Sequence, residues 1–117
     1  MAFLLLINER PGDREQPRHV GKDRYDRMMR FSAALQTRGV LRASESLRLP
    51  DEDGARIQVR AGKRMVVDGP FAEAKEIVGG FFLLDCDAKD EAMAIASECP
   101  AAEWATVEVR ELGPCWA

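Results

Sequence analysis

The chain has 117 residues, enough for one domain and too few for two independent cores. Apolar residues make up 46%, which excludes a disordered chain, and 17 basic against 20 acidic side chains leave a net charge of −3. That balance gives no basic footprint for nucleic acid and no basic amphipathic face for a membrane surface.

No run approaches the length of a membrane span. The opening apolar stretch Phe3–Ile7 is cut short by Asn8, Glu9 and Arg10, too early for a signal-peptide core. Cys86, Cys99 and Cys115 are odd in number and show no CxxC spacing, so they read as reduced thiols of a cytoplasmic protein.

Phe3–Ile7 predicts a strand, apolar on both faces. Pro11–Lys22 is polar, carries two prolines and two glycines, and reads as a loop long enough to act as a lid. Asp23 is the expected N-cap of a helix whose stripe is Tyr25, Met28, Met29, Ser32 and Leu35, widened by Phe31. Gly39 fits its C′ position. Val40–Leu49 reads as a second strand, and Pro50–Gly54 as a turn. Ile57 and Val59 alternate with polar residues, and Met65–Val67 returns after a turn at Ala61–Arg64, giving an accessory hairpin. Val78–Asp85 is again apolar on both faces, with Gly79 and Gly80 marking a bulge or a close backbone approach. Asp87 is the expected cap of a second helix, with stripe Ala88, Ala92, Ile95, Ala96 and Cys99, stopped by Pro100. Thr106–Leu112 is the last strand.

This order predicts one α+β domain over residues 1–117. It is a ferredoxin-like antiparallel four-stranded sheet with two helices on one face and an accessory hairpin. The helices cover one face only. The second face would stay apolar and wet in a monomer, which predicts a homodimer joined sheet to sheet. A pocket between sheet and partner, or between sheet and loop, is the expected seat of a small-molecule ligand.

The most distinctive segment is Asp68-Gly69-Pro70-Phe71-Ala72-Glu73-Ala74-Lys75-Glu76. Gly69-Pro70 forces a sharp turn, Asp68 can close an Asx-turn, and Phe71 is thrown to one side. With Phe-Leu-Leu-Leu-Ile at the start, Arg38-Gly39-Val40-Leu41, Gly79-Gly80-Phe81-Phe82, Glu98-Cys99-Pro100-Ala101 and Val107-Glu108-Val109-Arg110, it resembles the DGPF group of the YCII-related family over nearly the whole chain. The resemblance implies a dimeric α/β barrel of ferredoxin-like subunits and no single activity. Some such proteins are encoded beside alternative sigma factors. Wider relatives on the fold include muconolactone-type isomerases and a dehalogenating lactone enzyme. Other YCII-like proteins carry a His–Asp pair proposed as catalytic. His19, the only histidine here, is not matched to that pattern.

Each candidate residue has a catalytic and a structural reading. Asp68 is a candidate general base, or an Asx-turn holding Gly69-Pro70. His19 is a candidate proton shuttle, or an exposed loop histidine. Phe71 and Pro70 are candidate pocket walls, or a core plug and its turn. Arg10 is a candidate anchor for an anionic substrate, or a surface ion pair. No phosphate loop, HExxH, GxSxG or metal-ligand cluster is visible, so no cofactor is implied. Three readings remain open. One is a cofactor-independent enzyme doing acid–base chemistry on a small organic molecule. Another is a non-catalytic ligand-binding or regulatory module linked to transcription. The last is a structural dimer.

Overall fold

The computed structural model describes residues 2–50, 54–68 and 75–116, with backbone only for 67 and 68. Among the described residues, six strands and two helices follow in the order β1 (Ala2–Glu9), α1 (Arg18–Thr37), β2 (Leu41–Ser46), β3 (Ala55–Arg60), β4 (Lys63–Asp68), β5 (Ile77–Asp85), α2 (Lys89–Glu98) and β6 (Thr106–Glu111). A 3₁₀ turn at Pro100–Glu103 joins α2 to β6. The main sheet is ordered β2-β5-β1-β6, with every pair antiparallel, while β3 and β4 form a separate hairpin. This is the ferredoxin-like arrangement that the element order predicts.

The two most apolar strands are the two central ones. Leu5 pairs with Phe82 and Phe3 with Leu84, and these four are buried beneath Phe31 and Leu35 of α1 and Ala92 and Ile95 of α2. Phe31 meets Phe82 edge to face, with centroids 5.3 Å apart. The other face carries Leu4 opposite Leu83 and Leu6 opposite Phe81, all only half-buried. Arg110, Glu108, Ala43 and Glu45 flank them in register. Asn8 Nδ2 donates to Glu108 Oε1 at 2.8 Å at one end of this face.

Helix α1 starts at Arg18, after Pro17, so Asp23 is not its cap and His19 lies in its first turn rather than in a loop. The Pro17 carbonyl accepts from the amides of Val20 and Gly21, at 3.0 and 3.1 Å. The i,i+4 ion pair of Lys22 Nζ with Asp26 Oδ2 at 2.8 Å supports the turn that Gly21 weakens, and raises the Lys22 pKa. The helix ends as predicted at Gly39, φ +75°. Val40 N–H donates back to the Leu35 carbonyl and Gly39 N–H to that of Gln36, a Schellman motif.

Ala88, not Asp87, is the N-cap of α2. Glu91 explains the difference: its Oε2 accepts from the Asp87 amide at 3.3 Å, so the reaching carboxylate comes from inside the helix. Ala61 (φ 53°) and Gly62 (φ 77°) make the two-residue turn of the β3–β4 hairpin, the left-handed pair that matches strand twist. Ile57, Val59 and Val66 stand exposed on that hairpin. None of the helices of the described residues is long and apolar enough to cross a membrane.

Candidate functional site

A cleft of about 630 Å³ opens at the end of the sheet where β1 leaves and β5 enters. One wall is the strand ends, with Glu9 of β1, Ser44–Ser46 of β2, and Gly79 and Gly80 of β5. The opposite wall is the N-terminal half of α1, with Arg24, Tyr25, Met28, Met29 and Ser32, closed by Trp104 after the 3₁₀ turn. Asp13, Arg14 and Gln16 of the β1–α1 loop complete the rim. This is the sheet-and-loop pocket among the two positions expected from the sequence.

A bulge shapes it. Ile7 pairs with Gly80 and Asn8 with Val78, so Gly79 is the extra residue. A Cβ on Gly79 would overlap Glu9 Oε2 and lie 2.5 Å from Glu9 Cδ and 2.8 Å from Arg14 Nη2. The missing side chain is therefore the space that the Glu9 carboxylate occupies. Arg14 Nη2 donates to Glu9 Oε2 at 2.6 Å and Arg14 Nε to Glu9 Oε1 at 3.0 Å. Arg14 Nη2 also donates to the Gly79 carbonyl at 3.2 Å, which accepts from Leu47 N–H at 2.9 Å as well. One glycine thus ties loop, bulge and β2 together.

Asp13 contributes the other carboxylate. Its amide donates to the Arg10 carbonyl, and its own carbonyl accepts weakly from Arg24 Nη1 at 3.4 Å. Its Oδ2 is shut off from solvent with no hydrogen-bond partner among the described residues. A buried carboxylate oxygen without a donor is costly unless a ligand supplies one. The Arg24 guanidinium lies 4.8 Å above the Trp104 ring. Arg27 lies 5.5 Å from the same ring, and its guanidinium is paired with Glu103, whose carboxyl it holds below the usual range. No group of three or more metal-ligating side chains gathers among the described residues.

Of the residues singled out from sequence, His19 is exposed in the first turn of α1 and does not line the cleft. Arg10 is exposed after β1 and does not line it either; Arg14, four residues on, is the arginine that turns in. Pro70 and Phe71 lie outside the described residues, as does the Asp68 side chain. Asp68 ends β4, and the chain re-enters the described structure just ahead of the Gly79-Gly80 wall. Tyr25 and Met29, read as core, are 63% and 52% exposed and face the cleft instead. Cys86 and Cys99 are buried core residues, and burial pushes both thiols up.

Glu9, Asp13, Arg14, Arg24 and Trp104 carried no motif. The sequence signal for the site was the Gly79-Gly80 pair alone.

A family model described as the YCII-related domain matches residues 1–115. An uncharacterised protein of Rhizobium meliloti (strain 1021) is 38% identical over 97 residues, covering 78% of this chain and 77% of that protein. Among solved structures, 5-chloro-2-hydroxyhydroquinone dehydrochlorinase from Burkholderia phenoliruptrix, in complex with 2,5-dihydroxybenzoquinone, aligns with a TM-score of 0.57 at 16% identity. The alignment covers 97% of this chain and 94% of that one, and shows a common fold.

Proposed function

Starting from a chain that belongs to the YCII-related family, we propose that it is a cofactor-independent enzyme doing acid–base chemistry on a small organic molecule held in the cleft. The observation that carries this reading is Asp13, a carboxylate on the cleft rim whose Oδ2 has no donor among the described residues. A substrate C–H or O–H brought to the Asp13 carboxylate would offer it a proton. The Glu9–Arg14 pair holds the loop that carries Asp13 against the bulge. The dehydrochlorinase of the same fold supports the reading, because loss of HCl is a proton transfer coupled to a leaving group. His19 plays no part in this scheme; Asp68 remains the second candidate carboxylate.

A second copy sheet to sheet over Leu4, Leu6, Phe81 and Leu83 belongs to the same proposal. Those side chains are half-buried already, and a facing layer would keep them dry.

The test is turnover of 5-chloro-2-hydroxyhydroquinone and of enolisable and phenolic compounds in D₂O, followed by NMR for product or deuterium uptake. Conversion by the wild type, lost in Asp13→Asn and kept in Asp68→Asn, supports the assignment. Loss in Asp68→Asn alone moves the base to Asp68. Binding without conversion by any protein favours the ligand-binding module.

A further inference from the structure

We propose that Arg24, braced on Trp104, is the seat for a carboxylate, so that the cleft takes small aromatic or otherwise planar organic acids. This deepens the enzymatic reading above and rests on the same cleft.

Two arginines one helical turn apart, Arg24 and Arg27, share the Trp104 ring. Their partners differ. Arg27 is neutralised by Glu103 through two hydrogen bonds on the outer surface. Among the described residues Arg24 has no carboxylate partner, and its single hydrogen bond there is the 3.4 Å contact with the Asp13 carbonyl. Arg24 is half-buried and lines the cleft, where Arg27 does not. Stacking on an indole fixes the plane of a guanidinium and leaves its edge donors free to point outward. A planar fork of N–H donors held in one orientation matches a carboxylate through two parallel bonds.

The rest of the cleft fits the body of such a ligand. Tyr25, Met28, Phe81 and Trp104 supply apolar and aromatic surface between Arg24 and the strand ends. Glu9 is already matched by Arg14, so its charge does not compete for Arg24. The Asp13 carboxylate on the rim suits a hydroxyl or an acidic C–H on the ligand rather than a second anionic group.

The experiment uses benzoate, 2-hydroxybenzoate and the neutral isostere benzamide as probes. Binding is read from Trp104 fluorescence in a Trp116→Phe background, Trp116 being 86% exposed. Benzoate is expected to bind at least about tenfold more tightly than benzamide, the difference a charge-assisted bidentate contact makes. Arg24→Gln is expected to abolish that preference. Arg24→Lys, which keeps charge and fold, is expected to weaken benzoate several-fold, because an ammonium cannot reproduce the fork. Equal binding of benzoate and benzamide, or an unchanged benzoate affinity in Arg24→Gln with an unchanged melting temperature, overturns the proposal. The two readings fail separately. Turnover that needs Asp13 but ignores Arg24 removes the carboxylate seat and keeps the enzyme. Arg24-dependent benzoate binding with no turnover of any compound keeps the seat and removes the enzyme.

Discussion

Gly79→Ala should be destabilising in the wild type and harmless once Glu9 is removed. Gly79 carries no left-handed φ, so alanine meets no backbone strain there. The whole cost comes from the new Cβ, which would displace the Glu9 carboxylate and crowd Arg14 Nη2 at 2.8 Å. Displacement breaks a two-pronged ion pair whose partners are 12% and 36% exposed. Charge-assisted bonds to a buried group contribute about 1.5–3 kcal/mol and exposed pairs about 0–1, so this intermediate site is worth about 1–2 kcal/mol. Against that stands about 0.5–1 kcal/mol gained when alanine replaces glycine inside a strand. The net cost in the wild type is about 1 kcal/mol. In a Glu9→Ala background the clash is gone, the arginine tip can swing aside, and Gly79→Ala should be neutral or stabilising by about 0.5 kcal/mol. Urea unfolding of the four proteins closes a double-mutant cycle with a coupling of about 1–2 kcal/mol. Equal destabilisation in both backgrounds would mean that the bulge backbone, not the carboxylate, excludes a side chain.

Ile95→Ala removes a side chain with no exposure from the seam between α2 and the sheet and should cost about 2–5 kcal/mol by urea titration. A loss under 1 kcal/mol would mean that α2 packs loosely. Leu83→Glu places a charge in the middle of the open sheet face and should convert a sedimenting dimer to a protomer at micromolar concentration; identical sedimentation of the two proteins would remove the sheet-to-sheet assembly. Iodoacetamide at pH 8 should label exposed Cys115 in the folded protein and spare Cys86 and Cys99, which burial keeps protonated. The same shift gives a sign for stability. The unfolded chain releases these thiol protons at the ordinary thiol pKa and the folded chain only above it, so stability falls as pH rises through that interval. A stability that rises there would refute the burial.

The sheet was legible because its order rests on hydrophobic period alone. Phe3–Ile7 and Phe81–Leu84 read as apolar on both faces, and they are the two central strands, one face buried under the helices and the other half-buried. Gly39 and Gly62 were equally readable, since each stands where φ must be positive. Helix starts were not. The first turn of α1 depends on the Pro17 carbonyl and on Lys22 with Asp26, weak local terms that a loop-like composition masked. The cap of α2 was displaced by one residue because Glu91 reaches back to a backbone amide, a choice between two acidic candidates that spacing does not make. The site was the least legible part. Arg10 and Arg14 are alike in sequence, and only the turns that follow β1, closed by Asp13 N–H on the Arg10 carbonyl and Glu15 N–H on the Gly12 carbonyl, decide which faces inward. Tyr25 and Met29 share helical spacing with the core residues Phe31 and Leu35, and the period alone does not say where the sheet below them ends.

The two glycines at that end explain why a cleft exists there at all. A Cβ on Gly80 would stand 3.0 Å from the Glu45 carbonyl oxygen, so β2 approaches β5 closely only because residue 80 has no side chain. One residue earlier, the empty side of Gly79 receives the Glu9 carboxylate, which in turn fixes Arg14 and the loop bearing Asp13. The strand-end wall of the cleft is thus shaped by two missing side chains and one ion pair, with α1 and Trp104 as the far wall. Any larger residue at position 79 evicts Glu9 before it fills the cavity. Loss of the pair and loss of the ligand space should therefore appear together in variants at 79, and separately in variants at Arg24, which stands on the opposite wall.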